Sequence, residues 1–286
     1  MKLILFLALF SIVPHANGSQ MNLPSLIFFP QGLQFVPLKS NLMEPRIGVF
    51  KFMNTSEMRV DIGNSVDVIQ WYGPADYWTF RAGIDFFAYA YVRGSQGLRL
   101  QIDALDGFFG GHVTAERAIR DGKMVQARLR LLHHSAHLAD GHYENGVPSN
   151  MISPIPFTRD FGELTIAHLV AASSLRVRYY GGISYATLVR PSEIRRVAGN
   201  AGAEVSSIVT TLQDRPVNLF LAYGMTMTGT PEYAATNQLQ AGIKFGEWYE
   251  KGATLYLSYY NGRHMFGEYF NERMTTLGMG FTIDFF

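Results

Sequence analysis

The chain has no cysteine. That excludes a disulfide-stapled scaffold and an anchor built on a lipid-modified N-terminal cysteine. It also lacks any surplus of charge. With Lys2 set aside as part of a leader, 23 basic residues face 23 acidic ones, so nothing in the balance points to nucleic acid. Long apolar runs are missing too. The one candidate, Leu3–Val13, falls short of the roughly 20 apolar residues that a spanning helix needs. Lys2, that run and the small-x-small triplet Ala16-Asn17-Gly18 together read as a secretory signal over residues 1–18. A sustained helical period is absent as well. Residues 19–45 carry Pro24, Pro30, Pro37 and Pro45, spaced so as to break any regular element. We read this stretch as an N-terminal segment, either lying in the periplasm or tucked into the end of a barrel as a plug.

What is present, from residue 46 to 286, is alternation. Ile84, Phe86, Ala88, Ala90 and Val92 oppose Asp85, Phe87, Tyr89, Tyr91 and Arg93. Leu219, Leu221 and Tyr223 oppose Asn218, Phe220 and Ala222. Leu277, Met279, Phe281, Ile283 and Phe285 oppose Thr276, Gly278, Thr282 and Asp284. A period of two is strand periodicity, with one oily and one polar face. Soluble sandwich strands run about 5–6 residues, whereas many segments here run past ten, as tilted membrane-spanning strands do. Apolar-out, polar-in alternation between turn residues is the transmembrane barrel pattern. The predicted strands are 46–53, 57–71, 78–93, 97–116, 123–137, 161–171, 174–187, 201–211, 217–229, 236–247, 252–263 and 274–286. The fold class is thus all-β, a transmembrane antiparallel up-and-down barrel of about twelve strands in the outer membrane.

Loop lengths agree with that count. With both termini periplasmic, the odd connections face outward and run longer. The longest, 138–160, 188–200 and 264–273, are all odd. Trp71, Trp78 and Trp248 fall at even connections, where a periplasmic aromatic girdle belongs. The chain ends in Phe286 behind an amphipathic strand, the kind of signal that the barrel-assembly machinery reads. Its oily row stops at Phe285, and Phe286 shares a face with Asp284.

One stretch carries more than a pattern. In Lys123–Gly141, Val125, Ala127, Leu129 and Leu131 alternate with Gln126, Arg128 and Arg130. Continued, the alternation puts His133 and Ser135 side by side on the oily face. Residues i and i+2 of a strand share a face, close enough for a histidine to take a serine proton. Each residue of a tilted strand rises roughly 2.5 Å along the barrel axis, so Ser135 stands about 30 Å above Lys123, near the outer-leaflet boundary. The bland alternative is a His-rich strand end, made of His133, His134 and His137, at a polar interface. On the lumen side the same parity collects Arg81, Asp85, Arg99, Asp103, Arg128, Arg130, Glu163, Arg176, Arg178 and Lys244. They either line a channel or pair into a network that fills a narrow barrel. His142 and Glu144 in the long loop are too few to assign a metal. Gly107, Gly110 and Gly111 read as a bulge or bend.

Several short motifs carry a resemblance. Phe35-x-Pro37-Leu38 and Glu44-Pro45-Arg46 precede the first strand. His133-x-Ser135-x-His137-Leu138-x-Asp140 ends the fifth, and Arg159-Asp160 precedes the sixth. With these the mature chain resembles a bacterial outer-membrane barrel family labelled as a domain of unknown function. The resemblance implies a barrel without an established activity, in contact with outer-membrane lipids and lipopolysaccharide. His133-x-Ser135 is similar to the pair used by outer-membrane phospholipase A and the lipid A deacylases, where the serine is the nucleophile and the histidine its base. This chain departs from them in two places. Ala136 stands where an asparagine usually follows the serine, and Gly162 stands where the phospholipase has its orienting group. Asp160 has outward parity and is the nearest substitute.

Two functions therefore stand open. One is a structural barrel or narrow pore with a charged lumen. The other is a lipid esterase using Ser135, His133 and Asp160. No cofactor is expected, and Ca²⁺ enters only under the second.

Overall fold

A computed structural model describes residues 26–286 apart from 54, 74–76, 96–98, 121, 140–141 and 149–150. The leader assigned to residues 1–18 lies outside the described residues, as does Asp140. Twelve barrel strands follow one another: β1 (Ile47–Phe52), β2 (Glu57–Tyr72), β3 (Thr79–Ser95), β4 (Arg99–Arg120), β5 (Lys123–Leu138), β6 (Thr158–Ala172), β7 (Leu175–Arg190), β8 (Val197–Leu212), β9 (Arg215–Gly229), β10 (Tyr233–Gly246), β11 (Gly252–Arg263) and β12 (Arg273–Asp284). Each pairs antiparallel with the next, and β12 pairs with β1 through Gly278↔Phe52 to Ile283↔Ile47, which closes the barrel. Closure leaves no edge, so every strand finds a ladder partner without water. β1 is short, and Ile27–Phe28 pairs beside it with Gln70 and Ile69 of β2.

The alternation becomes an inside and an outside. In β9, Leu219, Leu221 and Tyr223 are exposed while Asn218, Phe220 and Ala222 are buried. Exposed apolar side chains continue around the wall, from Ile84 and Phe86 to Leu277, Met279 and Phe281. An apolar belt of that extent needs hydrocarbon against it, and the molecule is a membrane-spanning barrel of the outer-membrane kind. The tight turns lie at one end. Gln213 and Asp214 between β8 and β9 both take positive φ, 47° and 58°, as the hairpin turns that match strand twist require.

Three details depart from the sequence reading. β6 begins at Thr158, ahead of the predicted 161, because Thr158-Arg159-Asp160 is polar on both faces and alternation does not mark it, and β8 begins at Val197, ahead of the predicted 201, through Val197-Ala198-Gly199-Asn200, whose small residues carry too little contrast to mark a strand. Gly107, Gly110 and Gly111 lie in the continuous stretch of the β3–β4 ladder from Thr79↔Glu116 to Tyr91↔Ala104 and form no bulge. Gly110 is needed for close approach, since a Cβ there would stand 2.0 Å from the Leu131 carbonyl oxygen. Trp248 does not join a girdle. After Gly246, whose φ is +109°, the chain turns inward, and Trp248 is buried against Phe220 with Lys39 Nζ 5.4 Å from its ring.

The lumen is filled. Residues 33–46 run through it with no strand neighbours, so side chains of the wall take up its backbone groups. Arg178 donates to the carbonyls of Val36 (2.8 Å) and Pro37 (3.1 Å). Arg130 donates to the carbonyl of Met43 at 2.8 Å, and the Lys39 amide donates to Glu204 at 2.6 Å. Glu44, fully buried, accepts two bonds from Arg128 at 2.9 and 2.5 Å. From the opposite end the β11–β12 loop folds inward. Phe266 and Tyr269 are buried, and the Gly267 amide donates to both carboxylate oxygens of Asp106 at 2.9 and 3.1 Å. What remains is a vestibule of about 770 Å³ on the side of the short turns and a chamber of about 120 Å³ between the plug tip and the loop.

Glu44→Ala strands the buried Arg128 guanidinium and leaves Arg130 with Glu163 alone. Breaking a buried pair in this way costs about 3–5 kcal/mol, to be read from urea unfolding of the folded barrel beside the parent. In a planar bilayer the parent should pass no steady current, because the segment crosses the lumen.

The inward loop should respond to pH through two groups with opposite signs. Burial pushes the Glu268 carboxyl up from 4.5 to about 7 and pushes the His264 imidazole down from 6.5 to about 4. Glu268 docks protonated, so docking weakens as pH rises from 4.5 to 7. His264 docks neutral, so docking weakens as pH falls from 6.5 to 4. The slopes oppose, and the parent is nearly flat. Amide exchange of residues 264–272 should gain protection with rising pH in Glu268→Gln and lose it with rising pH in His264→Gln.

Candidate functional site

The lumen charges are placed first, because they decide where chemistry is free to occur. Arg128 holds Glu44, and Arg130 holds Glu163 at 3.1 and 2.6 Å. Arg178 holds Glu204 at 3.0 and 2.7 Å, and Arg81 holds Asp67 at 3.1 Å. Asp103 pairs with Arg93, and Lys244 with Asp284 at 2.6 Å. Asp85 accepts from Ser65 and meets His112 Nδ1 at 3.0 Å, while His112 Nε2 meets Asp67 at 2.8 Å. Arg176 is half-buried and has no ion-pair partner among the described residues; the side chain of Arg99 lies outside them. Apart from these two, the parity that gathered the lumen charges on one face is the parity of a paired network. His112, Glu44, Glu204 and Asp67 were missed by sequence reasoning. His112 and Asp67 were legible by strand parity, but Glu44 sits in a segment without period.

On the outer face β5 lies between β4 and β6. His133 stands opposite Phe109 of β4 and Asp160 of β6. Its Nδ1 lies 2.6 Å from Asp160 Oδ1, and its ring lies 4.7 Å from that of Phe109. The side chains of His133 and Asp160 are 32% and 47% exposed, which puts the pair on the lipid-facing wall and not in the core. The early start of β6 is what makes this contact: Asp160 is a strand residue in register with His133.

Ser135 stands opposite Gly107 and Thr158. Its Oγ is hydrogen-bonded at 3.0 Å to Nε2 of His137, not to His133. Two outward histidines, at i−2 and i+2, thus flank one serine. His137 was read from sequence only as part of a His-rich end, although the same period of two that pairs 133 with 135 pairs 135 with 137. A Cβ at Gly107 would meet only the Ser135 carbonyl oxygen, at 3.9 Å, so the wall beside the hydroxyl is bare. His134 points the other way, into the lumen, where it meets Asp106 at 2.8 Å and stacks on Phe108 at 4.0 Å.

Chemically the outer cluster holds a hydroxyl, two imidazoles and a carboxylate. A carboxylate on Nδ1 holds the proton there and leaves Nε2 as an acceptor, the tautomer a general base needs. His133 has that arrangement; His137 has the hydroxyl. Rotation of Ser135 about its Cα–Cβ bond swings Oγ from the His137 side toward the His133 side, since the two rings flank it along the strand. Among the described residues no group of three or more metal-ligating side chains is arranged to hold a metal.

The chain belongs to the family described as "Protein of unknown function (DUF1207)", whose pattern matches residues 106–285. That span includes β5, β6 and the whole outer cluster. No curated protein matches the chain. Among solved structures it is similar to the β-domain of the Bordetella autotransporter BrkA, with 13% identity over 83% of this chain and 97% of that one and a TM-score of 0.41. It is similar to the toluene transporter TodX of Pseudomonas putida, with 10% identity over 80% and 69% and a TM-score of 0.43. It is also similar to LpxR from Salmonella typhimurium, with 10% identity over 80% and 88% and a TM-score of 0.33.

Proposed function

We propose that this outer-membrane barrel is a lipid esterase whose site is the outer wall of β5, acting on acyl esters of phospholipid or lipopolysaccharide. The observation that carries this reading is the 2.6 Å contact of His133 with Asp160 on the same exposed face as Ser135. In the reaction Ser135 Oγ attacks the ester carbonyl carbon while His133 Nε2 takes its proton. The tetrahedral adduct collapses, the C–O bond to the alcohol breaks, and His133 returns the proton to the leaving oxygen. Water then attacks the acyl-serine by the same route, releasing a fatty acid and restoring the hydroxyl. Asp160 holds the ring and stabilises the imidazolium. In the resting state His137 holds the hydroxyl until substrate displaces it. The bare surface at Gly107 gives the ester room to approach, and the exposed Phe109 and Leu131 offer an apolar wall for its chain.

A second reading is favoured by the lumen. The charges around the N-terminal segment are paired and the axis is occupied, which fits a sealed structural barrel better than a narrow pore. Under either reading the C-terminal strand, with Phe285 facing lipid, is the part offered to the barrel-assembly machinery.

The assay is acyl release by purified folded protein from phospholipid and from lipopolysaccharide, with and without Ca²⁺. Ser135→Ala should fall to background, and His133→Ala should lose about 10²–10⁴ in rate. His137→Ala should lose much less, because it removes a resting contact and not the base. Absence of release by the parent, or its survival in both Ser135→Ala and His133→Ala, leaves the sealed barrel as the reading.

A further inference from the structure

We propose that the 120 Å³ chamber at the outer end of the lumen is a binding site for a phosphate monoester, independent of the wall chemistry on β5. The first observation is a break in the charge pattern. Elsewhere in the lumen the buried arginines face carboxylates. Around this chamber the half-buried Arg159 and Arg263 and, at its rim, the exposed Arg195 and Arg196 have, among the described residues, no carboxylate oxygen within 4 Å. Their donors go to neutral acceptors instead. Arg159 reaches His134 Nδ1 at 3.3 Å and Met43 Sδ at 2.8 Å. Arg195 reaches the Pro231 carbonyl at 3.2 Å, and Arg196 those of Ala186 and Thr187 at 2.9 and 2.5 Å. Arg263 reaches the carbonyls of Asn271 and Glu232, both at 3.3 Å. The carboxylate in the chamber lining, Asp106, is committed to the Gly267 amide and His134. A carbonyl accepts a bond but does not neutralise a guanidinium, so the chamber keeps an excess of positive charge.

The second observation is independent of charge. Four buried polar atoms of the chamber lining have no partner: Asn41 Nδ2, Thr230 Oγ1, Gln238 Oε1 and Arg263 Nε. Buried polar groups are normally satisfied, and one left bare costs about 1–3 kcal/mol. Arg263 Nε asks for an acceptor, Gln238 Oε1 for a donor, and Thr230 Oγ1 serves as either. An oxyanion borne on a hydroxylated carrier supplies both. Planar guanidinium groups match carboxylate and phosphate alike, but several of them around one small space fit a dianion best. The volume sets the size. A cavity of roughly 150 Å³ takes a benzene ring, so this chamber has room for a phosphate with the adjoining part of a sugar.

The same group occurs on soluble sugar phosphates and on the phosphorylated sugars of lipopolysaccharide, and titration calorimetry of the full folded barrel in detergent separates the two. The probes are inorganic phosphate, glucose 6-phosphate, glucose, and lipopolysaccharide before and after phosphatase treatment. Binding of glucose 6-phosphate without binding of glucose is expected, weakened at least tenfold in Arg196→Gln/Arg263→Gln, partly kept in the paired Lys variant, and weakened severalfold in Thr230→Val. Binding confined to phosphorylated lipopolysaccharide, with the same losses, assigns the lipid source. Heat-modified migration in SDS checks that each variant is folded, and Thr230→Val serves alone if the double variant is not. No binding of any phosphorylated probe, or equal binding by the parent and the folded variants, overturns the proposal.

Discussion

Glu44 is the fixed point of this molecule. It is fully buried inside the barrel, bonded twice by Arg128, with Arg130 Nη1 at 3.7 Å. A carboxylate taken so far from water is tolerable only with such partners, and two adjacent arginines are tolerable only with a carboxylate. Each side therefore requires the other. The requirement holds the N-terminal segment in the lumen, and the segment in turn gives Arg178, Glu204 and Asp284 of the wall partners. The wall and its filling are one electrostatic unit.

That unit determines where function is available. A twelve-strand barrel leaves a modest interior, and here peptide, paired charge and aromatic side chains occupy it. Phe87 stacks on Phe108 at 4.5 Å and Phe108 on His134 at 4.0 Å, so the core near β5 is rigid. A rigid inner face is a sound support for an outer site, because His134 and Ala136 are locked inside while His133, Ser135 and His137 stand outside on the same strand. The strand thus divides its side chains between holding the barrel and presenting a polar cluster to lipid.

The wall was largely legible in the sequence because lipid enforces a strict period of two. Leu219 to Tyr223 and Leu277 to Phe285 could face only one way, and Arg128, Arg130 and Glu163 only the other. The start of β6 was not legible. Thr158-Arg159-Asp160 is polar on both faces where the strand leaves the belt, so the partner of His133 looked like a loop residue. Trp248 misled for a related reason: its position in a turn was readable, but its direction was set by the inward bend at Gly246. The partner of Arg128 was hidden most completely. Glu44 lies in a proline-spaced segment without period, and only the folded lumen brings it to β5. Of the outer cluster, the pairing across strands needed the register of β5 on β6, whereas the Ser135–His137 bond followed from spacing and was overlooked.

The central claim is that residues 33–46 are an integral part of the barrel interior. Because the chain has no cysteine, a thiol placed at Asn41, which is 4% exposed, is the only one in the molecule. The rate at which a bulky maleimide labels Asn41→Cys in the folded barrel, compared with the urea-unfolded chain, tests the claim directly. The account predicts labelling slower by at least a hundredfold in the folded protein. Equal rates in the two states would place the segment outside the barrel and contradict it.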